Sequence, residues 1–226
     1  MSLPCKPAEA PMRRHDLIFV RPESWRLALA ARSDLAADPL VAPWVENGWP
    51  LIGRRATPCE RHGVAVGLPL PPFAGKRRLA FLMQAEDVLS VAPPPSLGTA
   101  ARMAPPAWRP TLERLAELAS LHSVDARVFG SLAWRVLTGL DYLTDRSDLD
   151  LLLRIDRDTD VADLVAGIAE IESLAPMRLD GELVRGDGAA VNWRELHAGA
   201  DQLLVKTIDG VALRGTAVFL AGEMRS

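Results

Sequence analysis

The stretch "FGSLAWRVLTGLDYLTDRSDLDLLL", from Phe129 to Leu153, constrains the fold more than any other part of the chain. It reads as a strand, a glycine turn, a helix, and then a second, almost wholly apolar strand with Asp148 and Asp150 at its mouth. Side chains on a strand alternate faces, so the two aspartates share one face while Leu149 and Leu151 point into the other layer. Two carboxylates side by side either share a proton or share a cation. A hard divalent ion such as Mg²⁺ takes oxygen ligands and commonly uses one or two carboxylates together with substrate phosphates. A strand followed by Gly130-Ser131 and a helix is a phosphate-binding arrangement: glycine lets the backbone approach, helix-start N–H groups face the anion, and the serine hydroxyl adds a hydrogen bond.

Each half alone is ordinary, since a Gly-Ser before a helix is usually a turn and an Asp-x-Asp is usually a solvated strand end. Together, in this order, they point to metal-assisted phosphoryl transfer. "RLDGELV" places Asp180 and Glu182 on one face of a further strand. Arg135, one helical turn after Ser131, reads either as a phosphate contact or as a surface residue. Lys206 in "LLVKT" reads either as a phosphate contact or as a snorkelling strand lysine.

The rest of the chain frames this core. Its 226 residues suit one large domain or two small ones. "APPPSLGTAARMAPPAWRP", 92–110, is proline-rich and reads as an extended linker. It divides an N-terminal α+β domain, 1–91, from a C-terminal domain, 111–226. In the first, "HDLIFV", "PLIGRRA", "GVAVGLPL" and "KRRLAFLM" read as strands. "SWRLALAAR" reads as a helix capped by Ser24, and "DPLVAPWVENG" as a second helix interrupted at Pro43. In the second, "TLERLAELASLH" is a helix capped by Thr111, and "DTDVADLVAGIAEIESLA" a helix with Asp158 near its start. "MRLDGELV", "AAVNW", "QLLVKTI" and "VALRG" are strands, the last two joined by a turn at Asp209-Gly210. The expected class is α/β (α+β), with a mixed sheet and flanking helices in the C-terminal domain.

A net charge of −3 supplies no global basic field for nucleic acid, and no apolar run suits a membrane span. An N-terminus without an apolar stretch is read as cytoplasmic. Cys5 and Cys59 have no metal-binding spacing, and the histidines at 15, 62, 122 and 197 lie far apart. Trp193-Arg194-Glu195 reads as a core aromatic followed by a surface ion pair. Arg54-Arg55 and Lys76-Arg77-Arg78 are basic clusters, explained either as solvated strand ends or as a docking surface.

"FGS…SDLDLLL" resembles the core of the DNA polymerase beta-like nucleotidyltransferase superfamily. That resemblance implies a Gly-Ser loop on nucleotide phosphates, two metal-binding aspartates and a third carboxylate on a neighbouring strand, for which Asp180 is the first choice and Glu182 the candidate if Asp180-Gly181 is a plain hairpin turn. Sixteen residues separate Ser131 from Asp148, more than in minimal members of that superfamily. "RHDLIFV", "GWPLIGRR", "VGLPLPP…GKRRLAF", "GSLAWRVLTGL", "DGELV", "VNWREL" and "LLVKT" together resemble the malonate decarboxylase holo-acyl carrier protein synthase family, the phosphoribosyl-dephospho-CoA transferases. Membership implies transfer of the phosphoribosyl-dephospho-CoA group from triphosphoribosyl-dephospho-CoA to a serine of the decarboxylase's apo acyl carrier protein, with Mg²⁺ or Mn²⁺ at Asp148, Asp150 and Asp180. With Gly130 and Ser131 on the donor's phosphates, Arg135 and Lys206 are the further candidate donor contacts, and the basic clusters make the N-terminal domain the candidate for carrier-protein or donor contacts. Adenylyl transfer to a protein or small molecule, and an inactive binding module of the same fold, are the rival readings.

Overall fold

A computed structural model describes residues 12–60 and 62–222; Cys5 lies outside them. The chain divides into two compact units at Pro94–Pro95.

In the first unit, β1 (Leu17–Val20), β2 (Leu51–Gly53), β3 (Val64–Pro69), β4 (Arg78–Met83) and β5 (Val88–Ala92) form an antiparallel sheet in the order β4-β3-β2-β1-β5. The sequence reading omits β5, a strand that lies on β1 far from it in sequence. Helix α1 (Pro22–Ala30) begins one turn earlier than expected, with Arg21 at the N-cap and Pro22 in the first turn. Proline there is preset for the helix and its missing N–H costs nothing. Ser24 therefore does not cap; its hydroxyl donates to Asp87 at 2.6 Å. The second expected helix is replaced by successive turns between α1 and β2. Asp38 Oδ1 accepts the N–H groups of Leu40 and Val41, Pro43 has no N–H to donate, and Gly48 closes the stretch at a φ of 76°. Trp25 and Trp44 are fully buried, and each indole N–H is satisfied by a carbonyl, of Val41 and Pro50 respectively.

In the second unit, β6 (Asp125–Phe129), β7 (Leu149–Arg154), β8 (Leu179–Val184), β9 (Ala190–Asn192), β10 (Gln202–Lys206) and β11 (Val211–Gly215) form a mixed sheet in the order β11-β10-β9-β8-β7-β6. β7 and β8 are parallel; the other described pairs are antiparallel. Parallel neighbours need a crossover, supplied by α5 (Val161–Ser173). Its N-cap is Asp160, whose carboxylate accepts the Asp163 N–H at 3.0 Å, rather than Asp158. α2 (Leu97–Ala101), α3 (Arg109–Leu121), α4 (Gly130–Thr138), α6 (Trp193–His197) and α7 (Thr216–Ala221) complete the unit. Leu149, Leu151, Leu153, Leu179, Leu183 and Val191 form one sheet face and share a core with Leu112, Leu115, Leu164 and Ile168 of the helices.

The proline-rich stretch is not an extended linker across 92–110. From Pro95 onward it belongs to the second unit, where Leu97, Ala100, Ala104 and Trp108 enter the core. Two of its prolines, Pro106 and Pro110, sit in the first turns of a 3₁₀ helix and of α3, where they set turns instead of a stiff spacer. Ser96 caps α2 by accepting the Thr99 N–H. α3 starts at Arg109, so Thr111 is a buried helical residue and not its cap.

One basic cluster is partly consumed by the first unit itself. The Arg54 guanidinium chelates both oxygens of Glu60 and also donates to the carbonyls of Arg55, Val66 and Phe81. The Arg54 guanidinium, followed by the N–H and hydroxyl of Thr57, holds the Glu60 carboxyl down to about 2 against its ordinary 4.5. A depressed carboxyl contributes stability above its unfolded pKa and loses it as pH falls toward the folded one. Glu60→Gln should therefore lower the melting temperature at pH 7. The gap from the wild-type chain should close as pH falls from about 4.5 to about 2. Thermal melts across that range check this; a gap independent of pH would contradict it.

Candidate active site

β6 runs into the sheet and stops at Phe129, directly opposite Asp150 of β7. The next residue, Gly130, has a φ of 65° and opens α4. A Cβ built there would lie 1.7 Å from Asp150 Oδ2. Two separate demands thus require glycine at this position: a left-handed backbone and no side chain against the carboxylate. The Gly-Ser turn and the Asp-x-Asp strand are consequently one site, with the start of α4 seated on the acid. Ser131 follows in the first turn of α4.

The sixteen residues between Ser131 and Asp148 also have a structural account. They comprise the rest of α4, a left-handed stop at Gly139, and a loop anchored by Tyr142, which is buried near Trp134. Burial pushes the Tyr142 hydroxyl well above its ordinary pKa. The Thr138 hydroxyl donates to the Trp134 carbonyl and accepts the Leu140 N–H, so the helix end runs into the loop without a gap in hydrogen bonding. A turn in which Thr144 N–H meets Ser147 Oγ then delivers the chain to Asp148.

Parallel pairing of β7 and β8 sets Asp150 beside Asp180. Asp148, Asp150 and Asp180 are each partly exposed, and one oxygen from each lies within 4.8 Å of the others. At that separation two unit charges repel by roughly 3 kcal/mol at an effective dielectric of about 20. An oxygen-only donor set in this arrangement fits a hard divalent cation, which would offset the repulsion. No cysteine or histidine belongs to the group. Asp180 sits inside β8, which removes the hairpin-turn alternative. Gly181 is a packing position, where a Cβ would come 3.1 Å from the Trp193 ring.

Glu182 lies on the same face, two residues along β8, yet outside the acid group. It is 6% exposed, and Lys206 Nζ donates to its Oε1 at 2.9 Å. Lys206 is therefore already engaged with Glu182. Arg135 points elsewhere: its Nη1 is 2.9 Å from Asp141 Oδ1, in an exposed pair.

The "VNWREL" stretch holds partners that sequence reasoning did not single out. Asn192 Nδ2 donates to Asp180 Oδ1 at 2.9 Å. Trp193 is buried as expected, but Arg194 pairs with Glu172 of α5 rather than with Glu195. Burial pushes the Glu172 carboxyl up, but the Arg194 guanidinium and the Leu179 N–H outweigh it and leave it below the ordinary carboxylate range. An asparagine ending one strand beside an Asp-containing strand is the signal available in sequence, though nothing local reveals the pairing.

Comparison with known proteins agrees across both units. The profile of the phosphoribosyl-dephospho-CoA transferase MdcG N-terminal domain matches residues 13–94, and that of the MdcG C-terminal domain matches 96–217. A phosphoribosyl-dephospho-CoA transferase of Bradyrhizobium diazoefficiens is 58% identical over the full length of both chains. One from Xanthomonas campestris pv. campestris is 37% identical, covering 88% of this chain and 92% of its own. One from Pseudomonas putida is 31% identical, covering 89% and 92%. No solved structure matches.

Gly130→Ala tests the close approach. Holding a non-glycine residue at this φ costs about 1–3 kcal/mol before the clash with Asp150 is counted. Urea denaturation should show a loss of at least that size, and transfer activity should fall with it. An unchanged midpoint would show that the turn does not need glycine. With a helix start seated on Asp150, one of three clustered carboxylates, and both domain profiles matched in order, the chain belongs to the phosphoribosyl-dephospho-CoA transferase family and is a transferase.

Proposed function

We propose that the protein transfers the phosphoribosyl-dephospho-CoA group from triphosphoribosyl-dephospho-CoA to a serine of the apo acyl carrier protein of malonate decarboxylase, in the cytoplasm. The observation that carries this reading is the contact of the Gly130 turn with Asp150, beside Asp180, in a chain that matches the family through both domains. The start of α4 and the Ser131 hydroxyl bind the donor's phosphates, since helix-start N–H groups favour anions. Lys206, held by Glu182, offers its ammonium to the triphosphate from the same sheet face. Arg135 reaches phosphate only on leaving Asp141, so it is a secondary contact.

The acceptor serine oxygen bonds to the α-phosphorus, and the bond from that phosphorus to the bridging oxygen breaks. Pyrophosphate leaves with the electron pair, and the serine proton passes to a carboxylate of the acid group. Asp148, Asp150 and Asp180 would hold Mg²⁺ or Mn²⁺, which supplies charge neutralisation for the attacking and leaving oxygens. Contacts with the carrier protein fall to the first unit. Arg54 is committed to Glu60 and to backbone carbonyls; Arg55, Lys76, Arg77 and Arg78 are exposed, Arg77 in a pair with Asp38 that a ligand can replace, and these are the basic side chains for it. No described helix is long and apolar enough to cross a membrane.

Mass spectrometry of the apo carrier protein after incubation with the enzyme and each donor tests the reaction. The expected adduct forms from the CoA-derived donor and not from ATP; an adenylyl adduct instead would overturn the donor assignment. Excess chelator should abolish transfer, and Mg²⁺ or Mn²⁺ should restore it; full activity in chelator would overturn the metal reading. Asp148→Asn should lower turnover more than about a hundredfold. Its melting temperature should stay level or rise, because one repelling charge is gone. Near-normal turnover in that variant would remove Asp148 from the metal site.

A further inference from the structure

We propose that Asn192 is a positioning residue for the third acid: its side-chain amide holds Asp180 so that the carboxylate faces Asp148 and Asp150. The inference rests on the reading of those three acids as a metal site.

Asn192 ends β9, and its two amide ends have different partners. Oδ1 accepts the Arg194 N–H at 2.9 Å as the N-cap of α6. Nδ2 donates to Asp180 Oδ1 at 2.9 Å. A flipped amide would set its oxygen against the carboxylate and its NH₂ against a backbone N–H, losing both bonds. The helix start therefore decides which way the amide points, and the amide decides where Asp180 points.

The supports of α6 reach the same strand. Trp193 Nε1 donates to the Leu179 carbonyl at 3.1 Å, and Arg194 Nη2 donates to it at 3.0 Å. Glu172, held by both terminal nitrogens of Arg194, accepts the Leu179 N–H at 2.7 Å. Both backbone groups of the residue before Asp180 are thus tied by side chains of α5 and α6. The acid's main chain and side chain are placed by one assembly.

The chemistry of the donor matters as well. Two acids of β8 face the site, and each has a different partner. Lys206 offers Glu182 a full positive charge, which neutralises that acid. Asn192 offers Asp180 a neutral donor, which fixes one oxygen and leaves the negative charge for a cation. Groups that orient a metal ligand through a hydrogen bond commonly change metal affinity or activity about 10–100-fold when removed.

Asn192→Ser separates this role from simple capping. Serine caps helices about as well as asparagine but is too short to reach Asp180. Asn192→Thr, β-branched and also a capping residue, is the second variant in case the first folds poorly. The readouts are melting temperature, Mn²⁺ dissociation constant by calorimetry on the donor-free protein, and kcat and KM for the donor, with Asp180→Asn alongside. The expected result is a nearly unchanged melting temperature, a Mn²⁺ dissociation constant about 10–100-fold higher, a comparable fall in kcat, and little change in donor KM. Wild-type Mn²⁺ affinity in both Asn192 variants, with weakened binding in Asp180→Asn, would overturn the positioning role and leave a cap. Wild-type affinity in Asp180→Asn as well would overturn the metal reading on which the inference rests.

Discussion

The site depends on the parallel pairing of β7 and β8. These strands are separated by the whole of α5, yet their register sets Asp150 directly beside Asp180. An antiparallel partner would have run the chain the other way and sent Asp180 and Asp150 to opposite ends of the pair. A parallel partner needs a crossover, and the amphipathic α5 supplies one by packing Leu164, Ile168 and Ile171 into the core. The apolar faces of the two strands are buried beneath helices, so neither strand can slip by one residue without burying its acids. Hydrophobic packing on one face thereby enforces an unfavourable gathering of charge on the other.

That gathering is handled in three ways. Gly130 removes a side chain, so that the start of α4 lies against Asp150. Asn192 holds Asp180 with a neutral hydrogen bond. Lys206 pairs with Glu182, the acid set deeper in the sheet. Acids of one strand, on one face, therefore have different uses because their neighbours differ. The same separation of uses applies to the arginines: Arg194 and Arg54 are each committed to a carboxylate and to backbone carbonyls, whereas Arg77 and Arg135 lie in exposed pairs. Exposed pairs are worth little, and such side chains can exchange partners with a ligand.

Much of this was legible from sequence. The strand–turn–helix at Phe129–Thr138, the apolar strand after Asp148 and the long helix α5 follow from local rules, because side-chain periodicity and glycine conformation act within a few residues. The family was legible in quoted segments spread along the chain. The caps were read less well. Prolines at 22 and 110 start helices earlier than Ser24 and Thr111 suggest, and Asp160 rather than Asp158 begins α5. Proline-rich composition suggested a spacer where apolar residues between the prolines instead enter a core.

Sequence alone thus determined the residue types of the site and the local elements that carry them. It left Asp180 and Glu182 as alternatives, paired Arg194 with Glu195 where the structure pairs it with Glu172, and offered no account of Asn192, β5 or the partners of Arg54. Those were decided by tertiary structure. Which of two acids on one strand joins a distant pair, and which meets a lysine, depends on the register of strands far apart in the chain. That register is set by burial of the opposite face, a property of the whole sheet and not of any short segment.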